Sequence, residues 1–249
     1  MTSSAPSPAA RPARRFATTR WSLILQARKH GDAPAKAALE ELCAAYWLPV
    51  YAFMRRQSKN VDDAQDLTQG FFASLLSHDA LADVHPARGR FRSFLLAAAK
   101  HFVCNDRDKN SAAIRGGHVI LHSFDYDLGE QQLSSELFRE QSPEAIFERR
   151  WALAMLDRVL VRLRQEFELG GRLTLFESLS EHLSGAAADE SLLEVAQRLQ
   201  MSPEAVRVAL HRLRKRYRHI LRDEIAQTTD SPDDVDDEIR QLFRALSGE

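Results

Sequence analysis

The segment SPEAVRVALHRLRKRYRHIL, residues 202–221, holds a dense group of cations: Arg207, Arg212, Arg214, Lys215, Arg216 and Arg218. Guanidinium and ammonium groups at that spacing suit a polyanion, and nucleic-acid phosphate is the partner they fit. Other groupings invite a chemical reading. Asp62, Asp63 and Asp66 gather carboxylates on one short stretch, His118 and His122 lie near Asp125 and Asp127, and Cys43 and Cys104 are the chain's thiols. The carboxylates fall on the outer face of an expected helix rather than in a cleft, which is poor ground for proton transfer. The His/Asp group sits where no regular element fixes ligand geometry, and the cysteines lack zinc spacing. The sequence has no His-Glu-x-x-His and no Gly-rich loop after a strand. Neither catalysis, nor a metal, nor a cofactor is expected, and both cysteines read as buried free thiols.

A basic segment needs a scaffold, and the composition supplies a globular one. The chain of 249 residues carries 34 Lys+Arg against 35 Asp+Glu, a formal net charge of −1. That balance excludes a uniformly basic coat, so a nucleic-acid surface must be local. No apolar run reaches the roughly 20 residues that span a bilayer. The opening MTSSAPSPAARPARR lacks the apolar stretch of a secretory signal. A cytoplasmic location is expected, with no membrane partner.

Helical periodicity runs through most of the chain and strand signals are scarce, so the expected fold is all-α. Apolar residues recur at helical offsets from Trp21 to Gln57, with a turn at 31–34. Ala64, Leu67, Phe71 and Leu75 share a face of a helix over 61–76. Phe91, Leu95, Ala98 and Phe102 share a face of another that fades near Asn110. Residues 111–141 lose the period and carry a glycine pair, which reads as a linker. Ser142 and Pro143 restart helix as cap and first residue. That helix runs to about Phe167, Gly170 and Gly171 break it, and a further helix continues to about Leu183, ahead of a loop, SGAAADE. The expected layout has a disordered tail over 1–18, helical domains over 19–110 and 142–226, and a flexible linker over 111–141 between them. An acidic extension with a short helix follows over 227–249.

Within the second domain, SLLEVAQRLQMS turns Leu192, Val195, Ala196 and Leu199 inward and ends in a tight turn at 200–202. A capped helix follows from Pro203 to about Ile225. At about 100° per residue, Val206, Leu210, Leu213, Tyr217 and Ile220 gather on one side and the cations take the rest. Helix, tight turn and capped basic helix form the helix-turn-helix pattern, whose second helix enters the major groove of DNA. Arg207, Val208 and His211 are expected at base edges, with Arg212, Arg214 and Lys215 nearer the phosphates.

Two stretches in order resemble the sigma factors of bacterial RNA polymerase, in the extracytoplasmic-function subfamily. DAQDLTQGFFASLL, residues 63–76, resembles the family's Asp-Ala-Glu-Asp-Leu-Val-Gln motif followed by Phe, with departures at Gln65 and Thr68. RGRFRSFLLAAAKHFVCNDRDKN, residues 88–110, looks like the aromatic and basic segment that follows it. AVRVALHRLRKRYRHIL, residues 205–221, resembles the family's fourth region. The likeness covers roughly residues 19–225. It implies a second-region-like bundle that docks on the clamp helices of the largest polymerase subunit and melts the −10 element of a promoter. It also implies a fourth-region-like helix-turn-helix that holds the flap of the other large subunit and reads the −35 element. Carried onto this chain, the resemblance places core polymerase contacts at Asp62, Asp63, Asp66, Leu67 and Gln69. It places −10 contacts at Arg88, Arg90, Arg92, Phe94, Lys100, Asn105 and Arg107. Arg88, Gly89 and Arg90 would shape a pocket for an unstacked base, while Phe91 is expected in the core.

The expected function is promoter-specific initiation with core RNA polymerase and promoter DNA as partners. The alternative is a helix-turn-helix regulator acting on DNA without polymerase docking. In the extension, Asp233, Asp234, Asp236, Asp237 and Glu238 precede Ile239, Leu242, Phe243 and Leu246. Packing on the second domain is the expectation for it. Covering the recognition helix, or binding an anti-sigma factor or other regulator, are the alternatives.

Overall fold

The computed structural model describes residues 33–77, 81, 84, 89–109, 124–133, 142–183, 191–227, 229 and 232–248. Every regular element among them is helical, as the periodicity predicts: α1 (Ala33–Gln57), α2 (Val61–Ser77), α3 (Phe91–Lys109), α4 (Tyr126–Gln132), α5 (Pro143–Leu169), α6 (Leu173–Leu179), α7 (Leu192–Arg198), α8 (Pro203–Ala226) and α9 (Pro232–Ser247). A 3-10 turn, Ser180–His182, closes α6. The tail over 1–18, residues 21–32, Arg88, His118, His122 and the loop after Leu183 lie outside the described residues, and Ala33 and Pro34, expected in a turn, already belong to α1.

The longest helix, α5, is the spine. Its start is fixed by the Ser142 hydroxyl, which accepts from the Ala145 amide at 3.1 Å, with Pro143 at a position that needs no amide donor. Its end is fixed by Gly171 at φ +66. The Arg172 amide reaches back to the Phe167 carbonyl at 2.8 Å and the Gly171 amide to Glu168 at 3.0 Å, the bond pair of a Schellman stop. Between these ends Phe147, Trp151, Ala152, Met155, Val159 and Leu163 are buried. Helix α1 lies along this row, and α6, α8 and α9 also pack against α5. The packing therefore runs across the expected division between 110 and 142. One apolar core includes Tyr51, Phe53 and Phe72 from the front of the chain and Leu213, Ile220 and Ile225 from the back. Each such side chain contributes about 1.5–3 kcal/mol by leaving water.

Residues 124–133 depart from the expected linker. Asp125 caps α4 by accepting from the Leu128 amide at 3.1 Å. Phe124 stacks on Trp47 with ring centroids 5.6 Å apart, and Tyr126 meets Tyr51 at 4.9 Å. Gly129 is buried, and a Cβ there would come within 3.3 Å of the Trp47 ring. Glu130 accepts from the Tyr51 hydroxyl at 2.7 Å and from Arg55 Nε at 3.0 Å. A short helix with weak periodicity is thus held by aromatic packing against α1. The thiols also divide: Cys43 is buried, as expected, but Cys104 is exposed on α3. Burial pushes the Cys43 pKa up to about 12.

Candidate nucleic-acid interface

Helix α7 begins in a capping box. The Ser191 amide donates to Glu194 Oε2 at 2.7 Å, and the Glu194 amide donates to Ser191 Oγ at 3.3 Å. It ends in a second Schellman stop, with the Met201 amide on the Ala196 carbonyl at 2.9 Å and the Gln200 amide on Gln197 at 3.1 Å. Gln200 holds the left-handed position there, at φ +54. Ser202 then caps α8 through the Ala205 amide at 3.2 Å, with Pro203 following. Val195 and Ala196 of α7 are buried, as are Val206, Leu210, Leu213 and Ile220 of α8, and Tyr217 is half-buried. The apolar stripe is the one the helical period predicts, and α7 sits against α8 through it.

The outer side of α8 exposes Arg207, Val208, His211, Arg212, Arg214, Lys215 and Arg218. At about 100° per residue, Arg207, His211, Lys215 and Arg218 fall within roughly a quarter of the circumference. The cations are not equivalent. Arg214 was expected near phosphates, yet its Nη2 donates to the His182 carbonyl at 2.6 Å and fastens α8 to the turn after α6. Arg216 grips Glu166 of α5 with two bonds, at 2.7 and 2.6 Å. The Arg216 guanidinium holds the Glu166 carboxyl below its ordinary value. Arg198, at the end of α7, donates to Ser178 Oγ at 2.8 Å. These fasteners fix the pose of the helix pair, while Arg207 meets a loose partner within its own turn, Glu204 at 3.7 Å.

On α2, Asp62, Asp63, Asp66 and Gln69 are exposed and Leu67 is half-buried. The Asn60 side chain accepts from the Asp63 amide at 2.7 Å and starts the helix. Thr68, one of the departures from the sigma motif, is fully buried. Its hydroxyl donates to the Ala64 carbonyl at 2.7 Å, so the core keeps a satisfied polar group where an apolar one was expected.

The surface of α3 and the turn before it differ from expectation. Gly89 has φ +112, a conformation side chains disfavour. Phe91 is buried and Phe94 half-buried; Lys100 and Asn105 are exposed, and the Arg107 side chain lies outside the described residues. Arg92, expected to face phosphates, is only 4% exposed. Its Nε and Nη2 donate to the two oxygens of Glu238 on α9 at 2.7 and 3.1 Å. It also bonds Gln241 and pairs with Glu148 of α5, and its guanidinium lies 4.2 Å from the centroid of the Trp151 ring. Arg90 Nε meets Glu238 Oε2 at 2.8 Å, and Lys100 Nζ meets Glu144 Oε1 at 2.8 Å. No local sequence pattern gives these partners. The run of acids at 233–238 shows only that some cation must answer them.

Helix α9 packs on α5 and α8, in line with its expected place on the second domain. Val235 and Leu242 are buried, whereas Phe243 is 56% exposed. Asp236 bonds Arg222 of α8 at 2.6 Å. Beyond Arg222, the acids of α9 reach Arg90 and Arg92 at the start of α3. Among the described residues no group of His, Cys, Asp and Glu could hold a metal ion, and no helix is long and apolar enough to cross a membrane. Compared with family models, curated proteins and solved structures, the chain matches none.

Proposed function

We propose that this chain is a sigma-type subunit that binds core RNA polymerase and directs promoter-specific initiation. In this reading α8 takes the upstream element in the major groove, with Arg207, Val208 and His211 at base edges and Arg212 and Lys215 at phosphates. The acidic face of α2, with Asp62, Asp63, Asp66 and Gln69, is offered to a basic surface of the polymerase. The surface around Arg90, Arg92 and Phe94 takes the separated strand. The observation that carries the reading is a helix-turn-helix whose second helix buries one stripe and exposes a basic face. Run-off transcription with purified core polymerase tests it: promoter-specific transcripts are expected only when the chain is added, and their absence on every promoter tried rejects the reading.

One observation favours a second reading, a duplex-binding regulator that needs no polymerase: Arg90, Arg92 and Lys100 each face a carboxylate of the chain itself. A pull-down on core polymerase separates the two. Capture that weakens on Asp66→Ala with Gln69→Ala supports docking through α2. Absence of capture, with duplex binding intact, supports the regulator.

A further inference from the structure

The three cations assigned to the separated strand and described with their side chains are all engaged from within. Arg90 and Arg92 share Glu238 of α9, Arg92 also meets Glu148 of α5, and Lys100 meets Glu144 of α5. Glu238 is 2% exposed and Arg92 4%. A guanidinium fork that holds a carboxylate through both oxygens cannot offer the same donors to a phosphate. Gln241, one turn along α9, takes a further Arg92 donor, and Trp151 covers the cation's face. Helix α9 is tied down on its other sides by Asp236 on Arg222 and by the Leu246 carbonyl on Arg149, and Val235 and Leu242 seat it on the core.

We propose that α9 is an internal competitor for nucleic acid, a bolt whose Glu238 carboxylate occupies the Arg90 and Arg92 guanidiniums until the helix is displaced. The inference rests on the assignment of the α3 surface to DNA and names how that surface is regulated. A tethered carboxylate acts at high effective concentration, so a free single strand competes poorly for the same donors. Among the described residues no such cover lies over Arg212 and Lys215 of α8, so the closed chain meets duplex DNA first and captures a single strand only after α9 is released. Displacement exchanges one anion for another on the same guanidiniums. Burial of Arg92 becomes exposure, which makes the step a switch between two states rather than a graded loosening.

The test uses the full chain with Glu238→Gln, which removes the charge and keeps the shape, and separately with Leu242→Ala, which loosens the seat of α9 and leaves its acids in place. Far-UV circular dichroism identifies the folded variants, and if one fails to fold the other carries the test. Fluorescence anisotropy with a labelled single-stranded oligonucleotide should show about ten-fold tighter binding than wild type for each folded variant. Adding Arg92→Gln to Glu238→Gln should remove the gain. Hydrogen exchange across α9 should speed up in the same variants before any DNA is added. Unchanged single-strand affinity in a folded variant whose α9 exchanges faster overturns the bolt, as does a gain that survives loss of Arg92. Unchanged exchange and unchanged affinity together overturn it too, since the charge would then hold nothing shut. Run-off transcription on the same samples keeps the readings apart: tighter strand binding without promoter-directed transcripts rejects the sigma reading and leaves the competitor standing.

Discussion

Gly171 and Gln200 do the same job at the ends of α5 and α7, and only one of them is glycine. Both sit at positive φ in a Schellman stop, +66 and +54 respectively. A side chain in that region costs roughly 1–2 kcal/mol relative to the right-handed one. Gln200→Gly should therefore stabilise the chain by about 0.5–1 kcal/mol after the added freedom of the unfolded glycine is counted, read as a higher urea midpoint. Glu166 makes a second residue-scale prediction. Its carboxyl is held below the ordinary 4.5 by the bonds from Arg216, so the pair's stabilisation is complete above that pH and fades as pH falls through the depressed value. Both side chains are about a third or more exposed, so solvent screening keeps the contribution to under about 1 kcal/mol. Wild type and Glu166→Gln should differ in urea midpoint at neutral pH and converge in acid, as denaturation at a series of pH values will show.

At the scale of elements, α4 is held by fit. Its seven residues are too few to be stable as an isolated helix. Gly129 lets it approach the Trp47 ring, and a methyl group there would sit at 3.3 Å from a rigid aromatic. Gly129→Ala should cost about 1–3 kcal/mol through overpacking. The loss should appear as faster hydrogen exchange in α4 and lower thermal stability. The contrast with α8 explains what a sequence can and cannot reveal. The stripe Val206, Leu210, Leu213, Tyr217, Ile220 repeats over several turns, so its period is legible without a structure. Helix α4 spans two turns, and its stabilising rings come from Trp47 and Tyr51, about 80 positions earlier in the chain. The exposed row on α8 was legible for the same reason as its stripe. The fate of Arg92 was not, since its partner Glu238 is 146 positions away and a helical wheel carries no information on what crosses over it.

For the whole molecule, α5 decides the thermodynamics. Helices from both ends of the chain share its buried row, so the halves are expected to unfold together rather than as separate domains. Trp151 lies in the middle of that row, is 5% exposed and also backs Arg92. Trp151→Ala should cost about 3–5 kcal/mol. Amide protection should fall in α1 and in α8 alike, whereas independent domains would show the loss in one half only. Native-state hydrogen exchange distinguishes these outcomes.

The unequal thiols have a practical side. With Cys43 sealed in the core and its ionisation pushed up to about 12, a maleimide meets Cys104 alone of the chain's two thiols while the fold is intact. Cys104 rides on the same helix as Arg92, so an environment-sensitive dye attached there would report on that helix in the unmutated polypeptide.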